Sequence, residues 1–281
     1  MASADPLVTA QWLLDHIDQP DLQIIDATWV PPFVQTRPSG AETYLAGHLP
    51  GAVFFDIDAI ADQTIDLSHM LPSSKQFGAQ VGALGIGDDL SLVVYDDHRF
   101  FASARVWWMF RAMGYKDVRV LDGGLAAWRA LDGTVEQGSS KREPRAFQAN
   151  SVSSLTRDVD EMRAHVQNAD RHILDARDPG RFNGTAPEPR AGLPSGHMPG
   201  SFCIPVSSLI DEGGMMKSLS DLKSVLQAHL AHPIVTSCGS GVSAAVIALA
   251  LARLGRWDAA VYDGSWSEWA ADPQNPIARR S

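Results

Sequence analysis

AGHLPGAVFFD at residues 46–56 returns as SGHMPGSFCIP at residues 195–205, and that return decides the architecture. Outward from it, IIDATW at 24–29 reappears as ILDARD at 173–178, and VLDGGLAAW at 120–128 as VYDGSWSEW at 261–269. Spacing is kept as well as wording: Asp26 to His48 and Asp175 to His197 are each 22 residues, and Asp97 to Asp122 and Cys238 to Asp263 are each 25. Chance matches do not hold register over three blocks. A unit of this size is a duplicated domain, too long for a solenoid repeat.

Residues 138–151, GSSKREPRAFQANS, are polar and aperiodic and read as a linker. This divides the chain into an N-terminal domain at 1–137, the linker, and a C-terminal domain at 152–281. In the second copy, helix patterns cover 156–168, 219–230 and 242–254, and strand patterns cover 172–174, 202–204, 233–236 and 260–262. That alternation predicts an α/β fold twice over, each copy a mostly parallel sheet with helices on both faces. Ligands of such folds bind at the carboxyl ends of the strands.

The 281 residues are 45% hydrophobic and 20% charged, a globular composition. A net charge of -10 argues against nucleic-acid and anionic-membrane partners. Two cysteines exclude a disulfide scaffold and a Cys-rich zinc site, and no metal or cofactor is expected. The start, MASADPLVTAQWLL, lacks a signal-peptide pattern, and the longest apolar run is too short to span a bilayer. The expectation is a cytoplasmic protein.

The chemistry concentrates in PIVTSCGSGVSAAVIALALARLG at 233–255. A buried strand runs into CGSGVS and then into an apolar helix. Cys238 therefore stands at a strand's carboxyl end and a helix N-terminus together. Gly239, Ser240, Gly241, Val242 and Ser243 can present backbone N–H groups as an anion nest, and the helix dipole adds to it. Both features favour a thiolate. The first copy has Asp97 at the matching position in this alignment and no glycines around it, so the fold does not by itself require the cysteine.

These residues resemble the tandem rhodanese-domain sulfurtransferases, and among them the 3-mercaptopyruvate sulfurtransferases, over almost the whole chain. That family's active loop reads CGSGVT, where this sequence has CGSGVS. The resemblance implies a non-catalytic first domain and a catalytic second one. It implies that Arg181 in GRF and Arg190 in EPR bind the donor's carboxylate and ketone. It also points to His48 in a proton relay with Ser240, whereas His197 in the second GHxPG is a turn residue. Asp26, Asp122, Asp175 and Asp263 read as turn or cap residues, and Cys203 as core.

The expected reaction moves sulfur from 3-mercaptopyruvate to Cys238 as a persulfide and then to a thiol, cyanide or thioredoxin, releasing pyruvate. The resemblance implies that relatives specific for thiosulfate usually carry basic residues where Gly239 and Ser240 stand; their absence here favours 3-mercaptopyruvate, with thiosulfate as the alternative donor. A non-enzymatic rhodanese-type binding module is the remaining alternative. A C-x5-R phosphatase needs arginine where Ala244 stands, and no Walker A or CxxC motif is present.

Overall fold

The two repeats build the same scaffold. A computed structural model describes residues 5–97 and 99–279; residues 1–4 and 280–281 of the two expected domains lie outside it. The first half runs β1 (Leu7–Val8), α1 (Ala10–His16), β2 (Leu22–Asp26), α2 (Gly40–Ala46), β3 (Val53–Phe54), α3 (Ser74–Ala83), β4 (Ser91–Tyr95), α4 (Ser103–Ala112), β5 (Val118–Leu121) and α5 (Gly124–Arg129). The second runs β6 (Thr156–Arg157), α6 (Val159–Asn168), β7 (His172–Asp175), α7 (Pro179–Asn183), β8 (Phe202–Cys203), α8 (Leu219–Leu226), β9 (Ile234–Ser237), α9 (Ala244–Arg253), β10 (Ala260–Tyr262) and α10 (Ser265–Trp269). The sheets are ordered β1-β5-β4-β2-β3 and β6-β10-β9-β7-β8. Every strand pair in them is parallel.

Two boundaries differ from the sequence reading for local reasons. Thr156 and Arg157 pair with Val261 and Tyr262 as a strand, and the helix begins after them. Asp158 starts it, accepting the Glu161 N–H while the Glu161 carboxylate accepts the Asp158 N–H in a capping box. Residues 179–183, outside the helix patterns read from the sequence, form a short helix with Asp178 as its cap and Pro179 in its first turn.

Sheet register corrects the internal alignment. Asp26 pairs with Tyr95 in the first sheet, and Asp175 pairs with Ser237 in the second. The residue that follows Tyr95 is Asp96, so Asp96 and not Asp97 occupies the place of Cys238. The next turn agrees: Leu125 N–H donates to the Asp96 carbonyl, as Trp266 N–H donates to that of Cys238. Constant sequence spacing misses this because the paired positions Val94 of β4 and Val120 of β5 lie 26 residues apart in the chain, whereas the equivalent Thr236 of β9 and Val261 of β10 lie 25 apart.

The domains meet through α4 and α9. All of α9 except Arg253 is buried. A helix covered by its own sheet on one side and by another domain on the other has no solvent face, which explains its unbroken apolar sequence. Trp107 and Trp257 pack across the joint at 6.3 Å between ring centroids, and Arg111 lies over Trp257. A pseudo-symmetric pair of hydrogen bonds latches it: Leu71 N–H donates to Asp263 (2.6 Å), and Met216 N–H to Asp122 (2.9 Å). These aspartates, expected as turn residues, are interdomain acceptors. The 138–151 segment has no helix or strand, yet it is docked on the first domain, with Phe147 buried against Phe77 and Phe110.

Candidate active site

Cys238 begins where β9 ends, and its side chain lies at the base of a cleft between the domains. The second domain lines this cleft with Arg181, Pro189, Arg190, Cys238, Gly239, Ser240, Val242 and Ser243. The first domain adds Trp29, Pro31, Phe33 and Phe101. The opening is small, about 400 Å³ including its mouth, which suits a small molecule. Cys238 and Ser240 are buried. Among the described residues, none of the N–H groups from Gly239 to Ser243 has a backbone or side-chain acceptor, whereas buried N–H groups are nearly always paired. Those donors, at the N-terminus of α9, are an anion-binding surface.

Gly241 sits behind the cleft. Its φ is +76°, a left-handed conformation that favours glycine, and its carbonyl accepts from Arg105 of the first domain (3.3 Å). Arg105 also holds Asp263 (2.6 Å) and the His69 carbonyl, and it is fully buried. One arginine of the first domain thus ties together the cysteine loop, the turn after β10 and the segment carrying His69.

Both expected arginines are at the loop. A Cβ on Gly239 would lie 3.1 Å from Arg181 Nη2 and 3.6 Å from Arg190 Nη1, so the absent side chain leaves room for them. Their electrostatics differ. Arg181 donates to Glu188 (2.5 Å), which is buried and also accepts from Arg177 (2.8 Å). Arg177 is in turn held by Asp175 (2.6 Å) and lies over Trp266. Arg190 makes no ion pair within 4 Å among the described residues. Burial lowers its pKa, while the charges of Cys238, Glu188 and Asp58 act to raise it and that of Arg181 to lower it. Arg190 is the uncompensated cation of the cleft.

His48 lies elsewhere. Its ring stacks on Tyr44, its Nδ1 is 2.9 Å from the Tyr44 carbonyl, and it is not among the residues lining the cleft. His197 repeats this arrangement on Phe182. A role shared by both copies belongs to the turn. The ionisable pair near the cleft, Asp58 and His69, comes from two segments of the first domain that resemble interface segments of the family and from which no catalytic group was expected. His69 is buried, its Nδ1 is 3.1 Å from Asp58, and its ring packs edge-on against Trp29 of the cleft wall. Burial pushes Asp58 up, but hydrogen bonds from His69 and Trp29 and the charges of His69 and Arg190 outweigh it, leaving its carboxyl below the usual range. The Nε2 of His69 is buried without a hydrogen-bond partner among the described residues. Cys203 is half-buried on the edge strand β8.

In the first domain the equivalent nest is filled from within. The Asp96 carboxylate accepts the N–H groups of Ala102 (2.9 Å) and Ser103 (2.8 Å) at the start of α4. Asp97, the residue sequence spacing had matched to the cysteine, ion-pairs with Arg37.

No group of three or more His, Cys, Asp or Glu side chains among the described residues could hold a metal ion. No helix among them is long and apolar enough to cross a membrane. A rhodanese-like domain profile matches residues 9–131 and 158–272. A 3-mercaptopyruvate sulfurtransferase of Escherichia coli is 41% identical over 96% of this chain and 96% of its own length. A mitochondrial thiosulfate/3-mercaptopyruvate sulfurtransferase of Arabidopsis thaliana is 39% identical over 99% of this chain and 79% of its own. A crystal structure of an Escherichia coli 3-mercaptopyruvate sulfurtransferase superposes with a TM-score of 0.84 at 39% identity, covering 92% of this chain and 98% of that one.

Proposed function

Because this chain belongs to the rhodanese-like domain family, we propose that its cleft takes sulfur from 3-mercaptopyruvate onto Cys238 and passes it to a small acceptor. The chain is a sulfurtransferase, an enzyme of two rhodanese domains. One observation supports the site: the buried Cys238 shares a cleft with unpaired loop N–H groups and the uncompensated Arg190.

The Cys238 thiolate attacks the donor's thiol sulfur. An S–S bond forms, the C–S bond breaks, and its electron pair becomes the enolate of pyruvate. The thiol proton stays on the new persulfide. Arg190, with Arg181 beside it, holds the donor carboxylate and the enolate oxygen by charge-assisted hydrogen bonds. The enolate carbon then takes a proton. His69, packed against Trp29 of the cleft wall with Asp58 3.1 Å from its Nδ1, is a better candidate for that transfer than His48. Cyanide, a thiol or a reduced thioredoxin attacks the outer sulfur and restores the Cys238 thiolate. The two half-reactions give ping-pong kinetics. Ser240, Val242 and Ser243 shape the pocket wall around the sulfur, and Gly239 leaves space for the two arginines.

The plant relative's name gives thiosulfate as a second donor, and thiosulfate is the alternative reading here. The two cysteines are not joined in a disulfide, which suits a reducing compartment such as the cytoplasm, although that same relative is named as mitochondrial. The test is mass spectrometry of the protein after mixing with 3-mercaptopyruvate. One added sulfur on the Cys238 peptide, absent in Cys238→Ser and retained in Cys203→Ser, is expected. Sulfur on Cys203, or turnover by Cys238→Ser, removes the reading, and a wild type that neither takes up sulfur nor turns over leaves a binding module.

A further inference from the structure

The turn after β10 carries a residue that the duplication makes conspicuous. Ser265 has φ +51°, in the left-handed region that costs a side-chain-bearing residue energy, and it is fully buried. Its counterpart in the first domain is Gly124, with φ +53°. The correspondence follows from the next residues, Leu125 and Trp266, whose N–H groups bond the Asp96 and Cys238 carbonyls. The inert copy uses the residue suited to that backbone, and the cysteine copy keeps a serine at the same strained place.

The serine hydroxyl faces the nucleophile. Ser265 Oγ accepts the Cys238 N–H at 3.1 Å, donates to the Tyr262 carbonyl at 2.8 Å, and lies 4.0 Å from Cys238 Sγ. It makes no cap to α10, so helix initiation does not account for it. We propose that Ser265 is a positioning residue for Cys238: its oxygen fixes the backbone from which the sulfur rises, and its proton is within a small rotation of that sulfur. This rests on Cys238 being the nucleophile, and it adds a residue acting through Cys238 without touching the donor.

The charged groups around Cys238 stay constant in the test. They are Arg190 and Arg181 on the Gly239 side, Glu188 behind Arg181, Arg105 and Asp263 behind Gly241, and the Asp58–His69 pair. Two substitutions of Ser265 separate hydroxyl from backbone. Ser265→Ala removes the hydroxyl and keeps the strain. Ser265→Gly removes both, and the first domain already accommodates glycine there.

The experiment compares wild type, Ser265→Ala and Ser265→Gly as full chains. The alkylation rate of Cys238 by iodoacetamide is read by peptide mapping at one neutral pH, beside the thermal midpoint and the kinetics with 3-mercaptopyruvate. Both variants should lose about tenfold or more in alkylation rate, and kcat should fall with KM within about twofold. Stability should divide them, with Ser265→Gly melting above Ser265→Ala. Reactivity would then follow the hydroxyl and stability the backbone. A Ser265→Gly protein that alkylates and turns over like wild type overturns the proposal. So does reactivity that rises and falls with the melting temperature. Should Ser265→Ala fail to fold, the glycine variant decides alone. Alkylation needs no sulfur donor, so a wild type that transfers no sulfur would refute the proposed function and leave this result readable.

Discussion

Replacing Arg105 tests whether the first domain holds the Cys238 loop. The Arg105→Met side chain keeps much of the volume but loses three contacts made by one buried guanidinium: Asp263, the Gly241 carbonyl and the His69 carbonyl. Asp263 is left with the Leu71 N–H and no cation. Breaking a buried ion pair by removing one partner costs about 3–5 kcal/mol, because the remaining charge is uncompensated. The two carbonyls add roughly 1 kcal/mol each where water cannot replace the donor. The guanidinium also lies 4.5 Å from the Trp108 ring centroid, a further contact methionine only partly replaces. We expect a loss of about 5–7 kcal/mol in urea unfolding followed by tryptophan fluorescence. Sulfur transfer should fall at least tenfold, because the Gly241 carbonyl no longer has its anchor. Arg105→Met with Asp263→Asn should recover much of the stability and little of the activity. A loss below about 1 kcal/mol with unchanged turnover in Arg105→Met would show that the loop holds its shape without the first domain.

Three other outcomes follow from the site and its surroundings. Arg190→Ala should cost about 1.5–3 kcal/mol in kcat/KM for 3-mercaptopyruvate, and Arg181→Ala less, since Glu188 already neutralises Arg181; the reverse order would place the carboxylate on Arg181. Glu188→Gln should raise the thiosulfate-to-mercaptopyruvate ratio of kcat/KM about tenfold at fixed ionic strength, because a buried negative charge opposes a dianion more than a monoanion; an unchanged ratio refutes the charge argument. Burial lowers the pKa of His172, helped by His232, and that of His229, helped by His172 and His232, so their protonation opposes folding. Their contribution is full above the unfolded value of about 6.5 and shrinks as pH falls below it. His172→Gln should therefore flatten the decline in stability below that pH relative to wild type. Asp26, whose carboxyl burial pushes up to about 6, acts with the opposite sign but is common to both proteins; parallel curves would remove the histidine cluster from the account.

What the sequence made legible, and what it hid, divides by the range of the interaction. The duplication, both sheets and the placement of Cys238 at a helix N-terminus were readable because each is a local pattern held at fixed spacing. Arg181 and Arg190 were reachable because they are close in sequence, and the segment from α7 onward carries both to the cysteine. Trp29, Phe33 and Phe101 were not, because only docking of the domains brings them there, and no periodicity reports a contact such as Leu71 to Asp263 across 192 residues. His48 misled for the opposite reason. GHxPG is conspicuous because it repeats, and it repeats because both copies need the same turn, so repetition marked scaffold and not chemistry.

The two copies also show what separates a nest filled by its own chain from an open one. Asp96 and Cys238 leave equivalent strands at equivalent heights, and each faces the first turn of a buried helix. In the first domain a carboxylate takes the N–H groups of Ala102 and Ser103, as an N-cap does, and the anion site is closed by its own chain. In the second, a sulfur one atom smaller in reach leaves the loop N–H groups free of protein acceptors. An anion-binding surface satisfied internally contributes to stability and binds nothing. One left open costs stability in the resting protein and recovers it when an anionic sulfur forms. The supporting residues change with it: Gly124 gives way to Ser265, and Asp97, paired with Arg37, gives way to Gly239, flanked by two arginines. Restoring chemistry to the first copy would thus require more than a cysteine at 96, because the glycine space, the clamp and the hydroxyl are absent together.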